Sequence, residues 1–217
     1  MHQLMTQRVA EAILFDLDGT LVDSAASVER NWRRLAAEIG RPYAEIEPFI
    51  HGIPGKQALR MIDPDMSDDL VEELNEMMVV GESTDTEDCI PLPGALTALD
   101  VLPTTRWAIV TSGSRRLATA RIAAAGLPMP RFLITADDVL QGKPDPAPYL
   151  LAASRVGREP GRCLVFEDAP AGVASARSAG IPVIGLLTTH RGLGVTSIAN
   201  LSQVEFSADR RGVIVTY

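Results

Sequence analysis

Cysteine is almost absent from this 217-residue sequence. Cys89 and Cys163 are far apart, and neither belongs to a CxxC pair or a Cys/His cluster. That argues against a disulfide framework and fits a reducing cytoplasm. Long apolar runs are missing too: no stretch approaches the roughly 20 residues needed to span a bilayer. Met1 to Ala12, interrupted by Gln3, Gln7, Arg8 and Glu11, lacks the apolar core of a secretory signal. Positive charge is in deficit, with 20 Lys and Arg against 28 Asp and Glu and a formal net charge of −8. A broad nucleic-acid surface needs the opposite field, although a local site on an acidic protein can still hold a small phosphate. Internal repeats and low-complexity tracts are also lacking. The expectation is a cytoplasmic protein, monomeric by default, with no nucleic-acid or membrane partner.

What is present is ordinary for a soluble chain: 46% hydrophobic and 22% charged residues. The length suits one core domain, or a core with a modest insertion. Short apolar runs that stop at polar turns read as buried strands: Ala12-Ile13-Leu14-Phe15, Trp107 to Val110, Arg131 to Ile134, Cys163 to Phe166 and Ile181 to Gly185. Helical patterns lie between them. Ser114 to Ala125 closes at Gly126, Pro146 to Val156 at Gly157, and Ala171 to Ala179 at Gly180. Strands alternating with helices predict an α/β core with a parallel sheet, whose ligands sit at the carboxyl ends of the strands.

Residues 25–87 break this rhythm. Val28, Trp32, Leu35, Ala36 and Ile39 share one helical face. Ser67 reads as the cap of a second helix, with Asp68 and Asp69 in its first turn. Leu70, Val71, Leu74, Met77 and Met78 form its apolar face, Gly81 is expected to end it, and Glu82 to Asp88 reads as an acidic linker. Met66, Met77 and Met78 read as packing. The expected organisation is a discontinuous α/β core, residues 1–24 and 88–217, with a small all-helical insertion at 25–87.

Polar residues close each strand. The first ends in Asp16-Leu17-Asp18-Gly19-Thr20, the Trp107 strand in Thr111-Ser112-Gly113-Ser114, and the Cys163 strand in Glu167-Asp168. Gly142-Lys143-Pro144-Asp145 follows the strand ending at Ile134. All four should converge on one rim. Clustered carboxylates repel and so call for a cation, and hard oxygen donors beside a phosphate suit magnesium. A lysine, a hydroxyl and N–H groups entering a helix suit the remaining phosphate oxygens. Two aspartates spaced i, i+2 can divide nucleophilic attack from proton transfer.

Asp16-x-Asp18-Gly19-Thr20-Leu21 resembles the nucleophile motif of the haloacid dehalogenase superfamily. Ser112, Lys143 and Glu167-Asp168 are similar to its second, third and fourth motifs, in the same order. The helical insertion after Asp23-Ser24 resembles the beta-phosphoglucomutase-like subgroup with a helical cap, nearest to its sugar and polyol phosphatases. The resemblance implies a Rossmann-like core and a magnesium-dependent phosphatase. It makes Asp16 the nucleophile and a metal ligand, and Asp18 the acid/base, also offering its backbone carbonyl to the metal. Ser112 and Gly113 would hold the phosphoryl group, Lys143 would neutralise its charge, and Asp168 would ligate magnesium. Thr20 and Glu167 would support, with Glu167 open to a purely structural role. His51, Gly52 and Lys56 of the insertion would select the leaving group, although an incidental surface turn reads equally from His51. His190 and Arg191 are weaker candidates for the site. A phosphomutase shares the whole core set and remains the alternative; a non-catalytic binding module is a distant one.

Overall fold

The computed structural model describes residues 6–50 and 52–217. In chain order, β1 (Gln7–Ala10) leads into β2 (Ala12–Phe15) and the short β3 (Val22–Asp23). Four helices follow: α1 (Ala25–Glu38), α2 (Tyr43–Ile46), α3 (Gly55–Ile62) and α4 (Asp68–Thr84). The chain returns through β4 (Ile90–Pro91), α5 (Ala95–Val101), β5 (Trp107–Val110), α6 (Arg115–Ala124) and β6 (Leu133–Ile134). It continues through α7 (Ala147–Arg155), β7 (Cys163–Glu167), α8 (Pro170–Ser178) and β8 (Val183–Leu186). The last strands are β9 (Ser197–Ile198), β10 (Glu205–Ala208) and β11 (Val213–Thr216).

The central sheet runs β6-β5-β2-β7-β8-β9, and its pairings are parallel. The α/β expectation holds. The strand runs are uninterruptedly apolar because both faces are covered, so successive residues enter different cores. Ile13, Phe15, Ile109 and Phe166 face one apolar cluster, whereas Leu14, Ala108, Val110 and Val165 face the other. Phe15 stacks on Phe166 with centroids 5.6 Å apart, and Phe206 meets Phe166 edge-on at 5.7 Å. Phe15 and Phe166, both fully buried, contribute about 1.5–3 kcal/mol each. From β2 the chain moves outward to β5 and β6, then crosses back to β7 on the other side. This reversal at β2 opens a crevice at the carboxyl ends of β2, β5 and β7, where ligands bind in such sheets.

Several elements differ from expectation. A second sheet, β1-β11-β10, ties the two ends of the chain together, with Gln7 opposite Thr216. Its partners lie some two hundred residues apart, so local patterning cannot announce them. The strand expected over 131–134 is shortened to Leu133–Ile134. Helix α4 does not stop at Gly81 but runs on to Thr84. The glycine is there for space: a Cβ would lie 2.4 Å from Asn31 Oδ1 of α1. Glu82 is therefore a buried helical residue rather than the start of a linker. Leu70 is exposed, and the inner face of α4 is Val71, Leu74, Met78 and Glu82. Ser67 caps α4 by accepting from the Leu70 N–H at 3.3 Å. The helices α1 to α4 enclose their own apolar cluster, which includes Trp32, Leu35, Leu59, Met66 and Met78.

Candidate active site

The turn after β2 reverses tightly, with the Gly19 N–H donating to Val22 O at 2.8 Å and the Leu21 N–H to Leu17 O at 2.8 Å. Gly19 has φ +79°, and a Cβ on it would lie 2.0 Å from Asp168 Oδ2 and 2.5 Å from Thr189 Oγ1. Only glycine lets the Asp168 carboxylate press against this turn. The turn leaves Asp16 nearly buried at the floor of a cavity of about 1300 Å³ between the sheet rim and the helical segment.

Lys143 organises the floor. It is 1% exposed, and its Nζ donates to Asp16 Oδ1 at 2.5 Å, Glu167 Oε1 at 2.7 Å and Val110 O at 2.9 Å. Its ammonium also stands 5.0 Å from the centre of the Tyr149 ring. Burial alone would lower the Lys143 pKa, but the Asp16 and Glu167 carboxylates outweigh it and raise the value, so the lysine stays charged. Glu167 in turn is fully engaged. Oε1 also accepts from Tyr149 at 3.1 Å, and Oε2 accepts from the Asp168 and Ala169 N–H groups at 2.9 and 3.0 Å. Gly172 makes room for it, since a Cβ there would lie 1.5 Å from Glu167 Oε1.

Oxygens of Asp16, Glu167 and Asp168 lie within 4.8 Å of one another. Burial, and then the neighbouring Glu167 charge, push Asp168 up to about 7. Burial likewise raises Asp16 well above its ordinary value, against the opposing pull of Lys143. Such crowding of carboxylates is what a bound cation relieves. With the Glu167 oxygens occupied by four donors, Asp16 and Asp168 are the side chains with lone pairs left for a metal. Thr20 steadies Asp168 with a long hydrogen bond of 3.4 Å to Oδ1.

The Asp18 carboxylate is not part of this cluster. Its Oδ1 accepts from Ser24 at 2.7 Å and pairs with Arg121 at 2.8 Å. Ser112 and Gly113 line the same cavity. The Ser112 hydroxyl donates to Gly52 O at 3.2 Å, and Ser114 caps α6 by accepting from the Leu117 N–H at 3.3 Å. The Gly113 N–H donates to Thr111 Oγ1 at 3.0 Å. Gly52 and Lys56 line the cavity from the helical side. Gly52 presses on the residue after Asp168, where a Cβ would come within 2.6 Å of the Ala169 Cβ. Lys56 belongs to α3 and pairs with Glu72 at 2.5 Å. His51 lies outside the described residues. His190 and Arg191 are not among the lining residues, whereas Thr188 and Thr189 are.

Residues 10–180 match the family model of the haloacid dehalogenase-like hydrolases. The chain belongs to this family. It is 45% identical to hexitol phosphatase A of Escherichia coli over 81% of this chain and 82% of that protein. Identity to the validoxylamine A 7'-phosphate phosphatase of Streptomyces hygroscopicus is 39%, over 82% of this chain and 85% of the relative. Among solved structures, a hydrolase from Pseudomonas syringae superposes with a TM-score of 0.77 at 31% identity, covering 85% of this chain and 88% of that one.

Two residues were not singled out by motif. Arg121 and Glu82 are both buried, line the cavity, and pair with each other. A signal for each exists in the sequence. Leu117, Ala118, Arg121 and Ile122 make one buried helical stripe, and Val71, Leu74, Met78 and Glu82 make another. A charge inside an apolar stripe must find a partner.

Proposed function

We propose that the protein is a magnesium-dependent phosphatase of small sugar or polyol phosphates, working through a phosphoryl group carried on Asp16. The observation that carries this reading is a buried carboxylate at a strand end, with one oxygen held by a fully engaged lysine, on the floor of a cavity large enough for a phosphorylated polyol. The relatives named for hexitol phosphate and validoxylamine 7'-phosphate hydrolysis support the substrate class.

In the first step the Asp16 carboxylate attacks phosphorus, and the bond from phosphorus to the alcohol oxygen breaks. Asp18 gives the departing oxygen its proton. In the second step Asp18 takes a proton from water, water oxygen attacks phosphorus, and inorganic phosphate leaves Asp16. Lys143 holds the Asp16 oxygen in place and offsets negative charge, while Ser112 and the Gly113 N–H would receive phosphoryl oxygens. Asp16, Asp168 and the Asp18 backbone carbonyl would hold magnesium, which when bound neutralises phosphoryl charge. Glu167 acts on Lys143. The helical segment 25–87 serves as the cap, and His51, Gly52 and Lys56 would select the leaving group. The protein is read as a cytoplasmic monomer; among the described residues no helix is long and apolar enough to cross a membrane.

Phosphate release from hexitol, pentitol and glycerol phosphates, measured with magnesium and with EDTA, tests this. Steady metal-dependent release from a polyol phosphate is expected. An isomerised phosphate ester without phosphate release would instead select a phosphomutase. Absence of turnover on the whole panel would leave a binding module, and full activity in EDTA would remove magnesium from the scheme.

A further inference from the structure

Arg121 is 3% exposed on α6, and the shape of its guanidinium decides what it touches. One terminal nitrogen meets Asp18 Oδ1 at 2.8 Å, and the other pairs with Glu82 Oε2 on α4. Its Nε finds no partner among the described residues. The arginine is therefore held by two carboxylates, one from the turn after β2 and one from the helical segment. Burying a guanidinium is costly unless such partners compensate it, and α6 would pack without charge if its inner stripe were wholly apolar. Something other than packing is served.

The consequence falls on Asp18. Ser24 and Arg121 both engage its Oδ1, and Oδ2 has no donor among the described residues. Asp16 is drawn the other way, toward Lys143. The two aspartates of one turn thus diverge, and the Asp18 carboxylate stands apart from the Asp16, Glu167 and Asp168 oxygens. We propose that Arg121 is a positioning residue for Asp18, holding its carboxylate clear of the metal-facing oxygens, and that through Glu82 this orientation depends on α4 being seated over the cavity. The proposal rests on the reading of Asp18 as acid/base given above. A fork with two fixed arms suits this task, because guanidinium geometry fixes direction as well as charge.

A double-mutant cycle separates positioning from mere structural support. Wild type, Arg121→Met, Asp18→Asn and the double variant would be assayed in magnesium with sorbitol 6-phosphate as the probe. Arg121→Met should lower kcat about ten- to a hundredfold through misplacement of Asp18, with KM changed less than about threefold. In the Asp18→Asn background the same substitution should cost less than about threefold more, because the group it positions is no longer active. Fully additive losses would overturn the proposal while leaving the acid/base reading intact. Wild-type turnover in Asp18→Asn would bring down that reading and this inference together. If Arg121→Met does not fold, Arg121→Lys and Glu82→Gln carry the same cycle. Each should lower kcat about three- to tenfold alone and add nothing to Asp18→Asn. Equal losses in both backgrounds would count against the proposal.

Discussion

Lys143 lies buried beneath the cavity floor, bonded to Asp16, and Lys56 lines the cavity from the helical side; they are held in opposite ways. Lys143 is buried in the core and meets three oxygens, two of them carboxylate oxygens, and the Glu167 oxygen is itself tied to Tyr149. Lys56 is exposed on α3 and meets one carboxylate, Glu72. The contrast extends to the regions that carry them. The sheet rim is built from buried polar groups in a dense network, where removing one partner strands another and costs about 3–5 kcal/mol. The helical segment rests on its own apolar cluster and dresses its surface with exposed pairs such as Arg33–Glu29 and Arg30–Asp88. Pairs of that kind contribute about 0–1 kcal/mol each. The rim is thus specified tightly and the segment loosely, which suits a fixed phosphoryl site beneath a face free to vary with the leaving group.

The largest effect is expected from Asp16→Asn. The amide cannot carry the phosphoryl group, so turnover should fall by at least about 10³-fold with the fold kept. Phosphate release and circular dichroism together check this; residual turnover near wild type would remove Asp16 as nucleophile. Gly172→Ala comes next and needs no change to any charged residue. The added Cβ would lie 1.5 Å from Glu167 Oε1, and Glu167 has no freedom to retreat because its oxygens accept from Lys143, Tyr149, Asp168 N–H and Ala169 N–H. A loss of about 2–4 kcal/mol is expected, read from the urea midpoint. An unchanged midpoint would mean that the rim is as yielding as the helical segment.

The third expectation concerns pH and belongs to the rim. Asp168 is raised from an ordinary 3.8 to about 7 by burial and then by Glu167. A raised value means the folded protein holds this proton more tightly than the unfolded chain. Its contribution to the stability of the metal-free protein is therefore full below about 4 and is lost as pH rises through about 7. A metal needs the carboxylate, so magnesium should bind more tightly, and raise the melting temperature more, at pH 8 than at pH 6. Equal magnesium shifts at both values would show that Asp168 does not hold the ion.

How much was legible follows the same division. Asp16, Asp18, Ser112, Glu167 and Asp168 stand at or just beyond strand ends, so an apolar run ending in a polar residue locates them without further knowledge of the fold, whereas Lys143 comes well after the strand that ends at Ile134. Among the insertion's residues, Trp32, Leu35 and Met78 were legible as packing, because a 3.6 period marks a buried face. Arg121 and Glu82 escaped notice because each sits alone on a different helix, some forty residues apart. Only the tertiary approach of α4 to α6 makes them a pair. The pairing of β1 with β11 failed for the same reason: chain ends that meet across the fold leave no local trace. Gly81 misled because the stop signal and the close-approach signal use the same residue.

That ambiguity supplies the smallest and most finely balanced prediction, Gly81→Ala. In the interior of a helix the change favours folding by about 0.5–1 kcal/mol, through lost freedom of the unfolded chain and better helix propensity. Against this stands the contact. The Cβ would lie 2.4 Å from Asn31 Oδ1 and 3.3 Å from its Cγ. The far end of a side chain can usually yield, but Asn31 is buried and its amide donates to Ser27 O at 2.9 Å and to Asp85 Oδ2 at 3.0 Å. Moving it sacrifices both bonds, at about 0.5–1.5 kcal/mol each. The cost exceeds the gain, so the variant should melt lower by about 2–4 °C for each kcal/mol of net loss. The fall should stay well short of that for Gly172→Ala, since Asn31 has two bonds to give up and Glu167 has four. A melting temperature above wild type would show that Asn31 swings aside freely and that helix propensity governs the segment.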